Sequence, residues 1–371
     1  MKLMLCRLAP VAVLACCLLP STPALAKKPH HAPTEAAEWL ASQLKPTGDG
    51  SYCELFGEQS VGETIECGLA FKAAGSGFAA QREATYKWVL ANKSKYVGSE
   101  SCAATSKPLS AGAVAKLALA VEAQNGNPES VEGRNLIADL KCLQIGSGKE
   151  AGRFSDKNQT NFTNVSGQSL AIIALKACEV NCASKPNLKA SIEAGAGYLR
   201  GQQCAGSKPK SLNGAFRSTM GLAADTCNDE PPFESESENE NAVEVDSTGA
   251  AVQALLADGT AESKSAADAA LSWLKKQRQK SKFWENYCSF EESSVIFPSV
   301  NSTALAMMAD VEGGASFGKA QKWLEGIVEA QPAGERGLPA CTEAGPPEVL
   351  ATAQGIFGLF ATSYPHLVGL P

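Results

Sequence analysis

One repeated column of residues constrains this chain more than any other feature. Six segments align so that Thr64, Gly112, Gln168, Thr248, Thr303 and Thr352 share a position. Three residues on, the column reads Cys67, Ala115, Ala171, Ala251, Ala306 and Gly355, and three further on Ala70, Ala118, Ala174, Ala254, Ala309 and Gly358. Positions three and six apart fall on one face of a helix, so six helices present the same narrow face. Six segments of a second kind alternate with them: 34–45, 77–92, 132–145, 186–203, 262–279 and 315–330, with Trp39, Trp88, Leu143, Tyr198, Trp273 and Trp323 as their large residues. The repeat is 48 residues long from Thr64 to Gly112 and 80 from Gln168 to Thr248, so its unit is a helix hairpin with variable loops.

Twelve alternating helices predict an all-α fold in two concentric layers, the narrow-faced helices inside around a common axis. An open superhelix of stacked hairpins is the rival, but neither terminal unit carries the polar face of a capping repeat, which favours a closed α6/α6 ring. Outer-to-inner connections run from about 13 to about 41 residues and inner-to-outer ones from one to about eight. All long loops therefore belong on one rim.

The start of the chain reads as an export signal. Lys2 and Arg7 precede an apolar run from Leu8 to Leu19, and Ala24, Leu25 and Ala26 form a cleavage site. The expected organisation is a signal peptide at 1–26, a disordered mature terminus at 27–33, one helical domain at 34–363 and a tail at 364–371. The alternative takes Val13 to Cys16 as a lipobox, leaving a lipoprotein tethered at Cys16.

Cleavage after Ala26 leaves ten cysteines: Cys53, Cys67, Cys102, Cys142, Cys178, Cys182, Cys204, Cys227, Cys288 and Cys341. An even number in an exported chain predicts five disulfides; sequence leaves the connectivity open, with sequential neighbours preferred. Metal binding is the competing use. No C-x-x-C occurs and the histidines are His30, His31 and His366 alone, so neither zinc nor any other cofactor is expected. A net charge of -6 with no basic stripe argues against nucleic acid, and the mature part has no span of the roughly 20 apolar residues that cross a membrane. The acidic run from Glu230 to Asp246 reads as a solvated loop, since it lacks the ligand order of an EF-hand calcium site.

Short motifs carry a family resemblance. Gln43, Gly50 and Tyr52, then Gln144, Gly152 and Phe154, then Gln203, Gly214 and Phe216 form a glutamine, glycine, aromatic series, and Asp246, Thr248 and Ala251 read as D-x-T-x-x-A, as Asn301, Thr303 and Ala306 nearly do. These resemble the α/α-toroid superfamily with prenyltransferase and squalene-oxidase repeats, which includes terpenoid cyclases and is related to transcobalamin-like carriers and thioester domains. The resemblance covers nearly the whole mature chain and implies the fold, not the function. The D-x-D-D acid motif of the cyclases is missing, as are the histidine for a prenyltransferase zinc site and a core histidine for a Ser-His-Asp hydrolase. Residues 56–59 resemble the C-G-E-Q thioester motif, with Phe56 in place of its cysteine.

Candidate site residues are the polar groups expected at the mouths of the inner helices: Glu63, Thr64, Gln168, Asp246, Thr248, Asn301 and Thr303. Asp246, Asn301, Ser166 and Ser110 are expected to start inner helices as N-caps. The expectation is a noncatalytic, monomeric exported protein that holds a small molecule, glycan or protein at the long-loop rim. The alternative is an enzyme of terpenoid-cyclase, prenyltransferase or glycosidase type, with Asp246 and Glu63 as its acids.

Overall fold

The computed structural model describes residues 31–229, 233–234, 237–287, 296–341 and 345–371. The signal-peptide and Cys16 readings and Cys288 lie outside the described residues, as do the side chains of Glu230, Glu234, Glu236 and Glu238.

Inner and outer helices alternate as the repeat requires. The outer layer is α1 (Ala32–Ser42), α3 (Ala79–Asn92) followed by the short α4 (Ser94–Val97), α6 (Leu136–Leu143), α8 (Lys189–Gly201), α10 (Ala261–Gln277) and α12 (Gly318–Ala330). The inner layer is α2 (Val61–Ala74), α5 (Ala111–Ala123), α7 (Val165–Asn181), α9 (Val245–Asp258), α11 (Val300–Glu312) and α13 (Val349–Leu359). Each inner helix packs on the next in the order α2, α5, α7, α9, α11, α13, and α13 returns to α2. The ring is closed, and the open superhelix is excluded.

Inner helices are mostly buried because neighbouring elements cover most of their surface; α5, for example, buries eleven residues from Ala111 to Ala123. Outer helices keep one wet face. Ser60, Ser110, Asn164 and Ser299 cap four inner helices, each side chain accepting an N–H three residues on; each cap is worth about 1 kcal/mol. Of the expected caps, Ser110 holds that place. Ser166, Asp246 and Asn301 instead lie two residues inside, because the cap needs extended backbone and theirs is already helical. The expected outer segment 132–145 also shortens: Val131 and Arg134 bridge each other in a turn and Asn135 caps the helix.

Four disulfides join sequential neighbours: Cys53–Cys67, Cys102–Cys142, Cys178–Cys182 and Cys204–Cys227. Cys341 is disulfide-bonded as well. No helix among the described residues is long and apolar enough to cross a membrane.

The glycines of the sequence motif are contact points between neighbouring hairpins. Gly50, Gly152 and Gly214 have φ of +125°, +92° and +98°, and a Cβ on any of them would overlap the carbonyl of Ala84, Ala194 or Ala269 in the next outer helix. Gln144 and Gln203 reinforce two of these contacts, donating to the Ser191 carbonyl at 2.8 Å and the Ala266 carbonyl at 2.8 Å. Gly337 plays the same part at the seam, where it sits against the Trp39 ring while Arg336 pairs with Glu35. The last hairpin is thereby fixed to the first.

One element lies on the axis. The last residues form α14 (Tyr364–Leu367), which touches α2, α7 and α9 at once and so closes the short-loop end of the ring. Tyr364 donates its hydroxyl to Glu66 at 2.6 Å, and its N–H goes to the Gln253 side chain at 3.1 Å. A single tyrosine thus bridges two inner helices that are opposite one another in ring order.

Candidate functional site

The repeated column faces the space between the layers, not the axis. Thr64, Thr248, Thr303 and Thr352 are fully buried, and each hydroxyl accepts a backbone N–H from the segment that follows its own outer helix. The donors are Cys53 at 3.0 Å, Phe216 at 2.9 Å, Trp284 at 3.0 Å and Leu338 at 2.8 Å. Gln168 does the same with a longer side chain, accepting from Phe154 at 2.9 Å and donating to the Gly152 and Gly195 carbonyls at 3.0 Å each. Five of the six hairpins carry this clamp; Gly112 has no side chain to make it. Every polar atom of Thr64, Gln168, Thr248 and Thr303 is committed to backbone, which leaves none to meet a ligand.

Asp246 and Asn301 occupy a different stripe. Asp246, Ala250 and Gln253 are four and three residues apart on α9, and Gln253 meets Tyr364 on the axis. The matching stripe on α11 begins at Asn301, whose amide donates to Gln354 of α13 at 2.7 Å. On α2 it runs through Gly62 and Glu66. Asp246 and Asn301 are each half-buried and sit at the long-loop mouth of the lumen. Glu63 lies across the ring from Asp246, since α2 and α9 are opposite members of the six.

Glu244 is the acid that sequence reasoning passed over. It fills the N-cap slot of α9, held in place by a two-residue strand pairing of Phe216 with Glu244 and Arg217 with Val243. Its side chain makes no cap; the Ser247 hydroxyl donates to it at 2.9 Å. Burial, together with the charge of Asp246 beside it, pushes its pKa up to about 7. The equivalent slot holds the good caps Ser60, Ser110, Asn164 and Ser299 on four inner helices and a second non-capping glutamate, Glu348, on α13, so the slot alone does not single out Glu244.

A second acidic cluster lies on the α2 side. A pocket of about 500 Å³ is lined by Gln59, Gly62, Glu63, Trp88, Tyr96 and Lys116, among others. Lys116 pairs with Glu66 at 2.9 Å; burial works against its charge, yet Glu66, Tyr96 and Glu63 hold its pKa above the ordinary lysine value. Burial raises the Glu63 pKa against the opposing pull of Lys116. Tyr96 is likewise raised by burial. This corner therefore sets an acid of raised pKa beside a fixed cation and two aromatic rings.

Among the described residues, the group with metal-ligand spacing is Glu122 with Cys178 and Cys182. Its sulfurs are joined to each other, and so are not available as thiolate ligands.

Solved structures share this architecture at low sequence identity. An inactive variant of an α-1,6-mannanase from Salegentibacter sp., in complex with α-1,6-mannotriose, superposes with a TM-score of 0.58 at 9% identity, covering 91% of this chain and 98% of that one. The chain is an α/α-toroid. Unsaturated glucuronyl hydrolase from Bacillus sp. GL1, described as responsible for the degradation of glycosaminoglycan, matches at TM-score 0.56 and 8% identity, over 89% of this chain and 95% of that one. Cellobiose 2-epimerase from Bacillus thermoamylovorans matches at TM-score 0.56 and 12% identity, over 87% and 95%. No protein-family model and no curated protein matches the sequence, so the isoprenoid branch expected from the Gln–Gly–aromatic motifs gives way to the toroid fold alone. The expectation of a noncatalytic binding protein is corrected by the same finding: these toroids are two glycoside hydrolases and an epimerase, the company of the glycosidase-like alternative.

Proposed function

We propose that this toroid is an exported carbohydrate-active enzyme that cleaves a glycosidic bond at the long-loop mouth. The observation that supports it most is Glu244, whose pKa of about 7 lies next to the charge of Asp246. Glycoside hydrolysis needs one carboxyl group protonated at the working pH and a second ionised. Glu244 supplies the first: it gives its proton to the glycosidic oxygen as the bond to the anomeric carbon breaks. Asp246 takes the place of the second: it faces the positive charge that develops on the sugar ring and accepts a proton from the water whose oxygen bonds to the anomeric carbon, while Glu63 stands across the lumen. The mannanase offers a parallel, since its inactive form replaces two adjacent aspartates by asparagine; here the two acids sit two residues apart at an inner-helix start. Export is read from residues 1–26 and fits the disulfides of the mature chain.

The test is turnover of three substrate classes, α-1,6-manno-oligosaccharides, unsaturated uronyl disaccharides and cellobiose, with products identified by chromatography and mass spectrometry. Hydrolysis by the wild type should fall by about 100-fold or more in Glu244→Gln and Asp246→Asn, the range for loss of an acid–base group. A glycan cleaved at full rate by Glu244→Gln, or no turnover in any class by folded protein, would refute the reading.

A further inference from the structure

The outer wall of the ring carries a second cleft, remote from the lumen stripe in both position and charge. It has a volume of about 600 Å³ and is lined by Lys280, Lys282, Lys319, Lys322 and Trp323, with Gly326, Ile327 and Ala330. The four lysines come from two elements, the turn after α10 and the face of α12, and all four are exposed. No acid among the described residues lines the cleft: Glu325 and Glu329 of the same helix are absent from its wall. None of the four ammonium groups pairs with a carboxylate among the described residues. In a chain of net charge -6, four cations with no carboxylate partner among the described residues surround one indole and form a local field of the opposite sign.

Two details shape the cleft. Phe283 packs against Trp323 with ring centroids 5.0 Å apart, tilted by 37°, which braces the indole from one side. Gly326 lies one turn further along α12, and a Cβ there would meet nothing within 4 Å. Packing does not demand a glycine at this position, and glycine within a helix costs about 1 kcal/mol relative to alanine. Its effect is to keep the floor beside the indole free of a side chain.

We propose that this cleft binds an anionic polysaccharide, a sugar ring lying on Trp323 while its carboxylate or sulfate groups meet Lys280, Lys282, Lys319 and Lys322. Flat aromatic area flanked by point charges suits an alternation of apolar ring faces and anionic substituents. A bare polyanion would use the lysines and ignore the indole. The site goes beyond the hydrolase reading: it holds polymer at the wall, next to the α11 sector that neighbours α9, and involves neither Glu244 nor Asp246.

The experiment is affinity electrophoresis of the full mature chain through gels containing polygalacturonate, dextran sulfate or neutral mannan, with Glu244→Gln as background so that cleavage does not interfere. Retardation is expected in the two anionic gels and not in mannan, and should diminish as salt is added. Both Lys319→Glu/Lys322→Glu and Trp323→Ala should weaken it at least 10-fold, with thermal melting used to confirm that each variant is folded. A Lys282→Glu variant, on the loop alone, provides an independent check and should also weaken binding. The proposal is overturned by an unretarded Glu244→Gln chain or by lysine variants that bind normally. Equal binding by Trp323→Ala, or tighter binding to single-stranded DNA or anionic vesicles than to either polysaccharide, also overturns it. Because binding is read without turnover, failure here leaves the hydrolase reading standing, and failure of hydrolysis leaves this one standing.

Discussion

Replacing Glu244 by glutamine tests the proton-holding acid without any substrate. In the folded protein its pKa is about 7, against an ordinary value of 4.5. Because the folded value is raised, the folded state binds the extra proton between these two pH values. Stability from this group is therefore complete below pH 4.5 and is lost as pH rises to about 7, at about 1.4 kcal/mol per pH unit. The interval of about 2.5 units corresponds to about 3 kcal/mol, a figure good to order of magnitude for a mostly buried group. Glutamine keeps the shape and the Ser247 contact but has no proton to lose. Urea unfolding of wild type and Glu244→Gln at pH 5 and pH 8.5 isolates the effect, because Asp310, raised to about 6 by burial, and the other buried acids titrate alike in both proteins and cancel. The variant should gain on the wild type by about 2 to 3 kcal/mol between the two pH values. A difference that does not change with pH would refute the protonated Glu244, and with it the proton donor of the proposed reaction.

Other consequences are independent of that one. Gly152→Ala forces both a left-handed backbone and an overlap with Ala194, and should cost about 3 kcal/mol, whereas Gly148→Ala, at φ +85° with open space around it, should cost only about 1 to 2; equal melting temperatures would remove the hairpin-contact role. Thr303→Val leaves the buried Trp284 N–H without its acceptor and should destabilise by about 1 to 3 kcal/mol in denaturant titrations, while Ser281→Ala in the neighbouring exposed loop should be near neutral. Tyr364→Phe deprives Glu66 of a buried hydrogen bond and should cost about 1 to 3 kcal/mol by the same measure; an unchanged midpoint would mean that water replaces the hydroxyl.

The double ring was legible because its signal repeats six times: one helix with alanines at three-residue intervals means little, but the shared register from Thr64 to Thr352 specifies a unit and its multiplicity. What periodicity cannot tell is which neighbour a face meets. Their position at the inner-helix mouths makes Thr64, Thr248, Thr303 and Gln168 candidates for a ligand ring, whereas in the fold they meet the segments after the outer helices and take backbone N–H groups there. Asp246 and Asn301 have the residue types of caps, yet their half-turn offset from Glu244 and Ser299 puts them on the axis stripe. Glu244 stayed hidden inside an acidic run that reads as solvated loop, since burial of a single member is a tertiary property. Lys116 and Tyr364 were equally illegible, each owing its significance to Glu66, 50 and 298 residues away along the chain.

The four disulfides described above have sequence separations of 14, 40, 4 and 23, and none of them crosses the seam between the last hairpin and the first. Each of these four pairs is complete once its own short stretch of chain has been made, so oxidation can proceed in step with the chain's growth. Closure, by contrast, must await Arg336 and Gly337, about 300 residues after their partners Glu35 and Trp39. None of these four bonds fastens that seam, so the join made by Arg336 and Gly337 rests on non-covalent contacts, which can form and break without reshuffling any of the four.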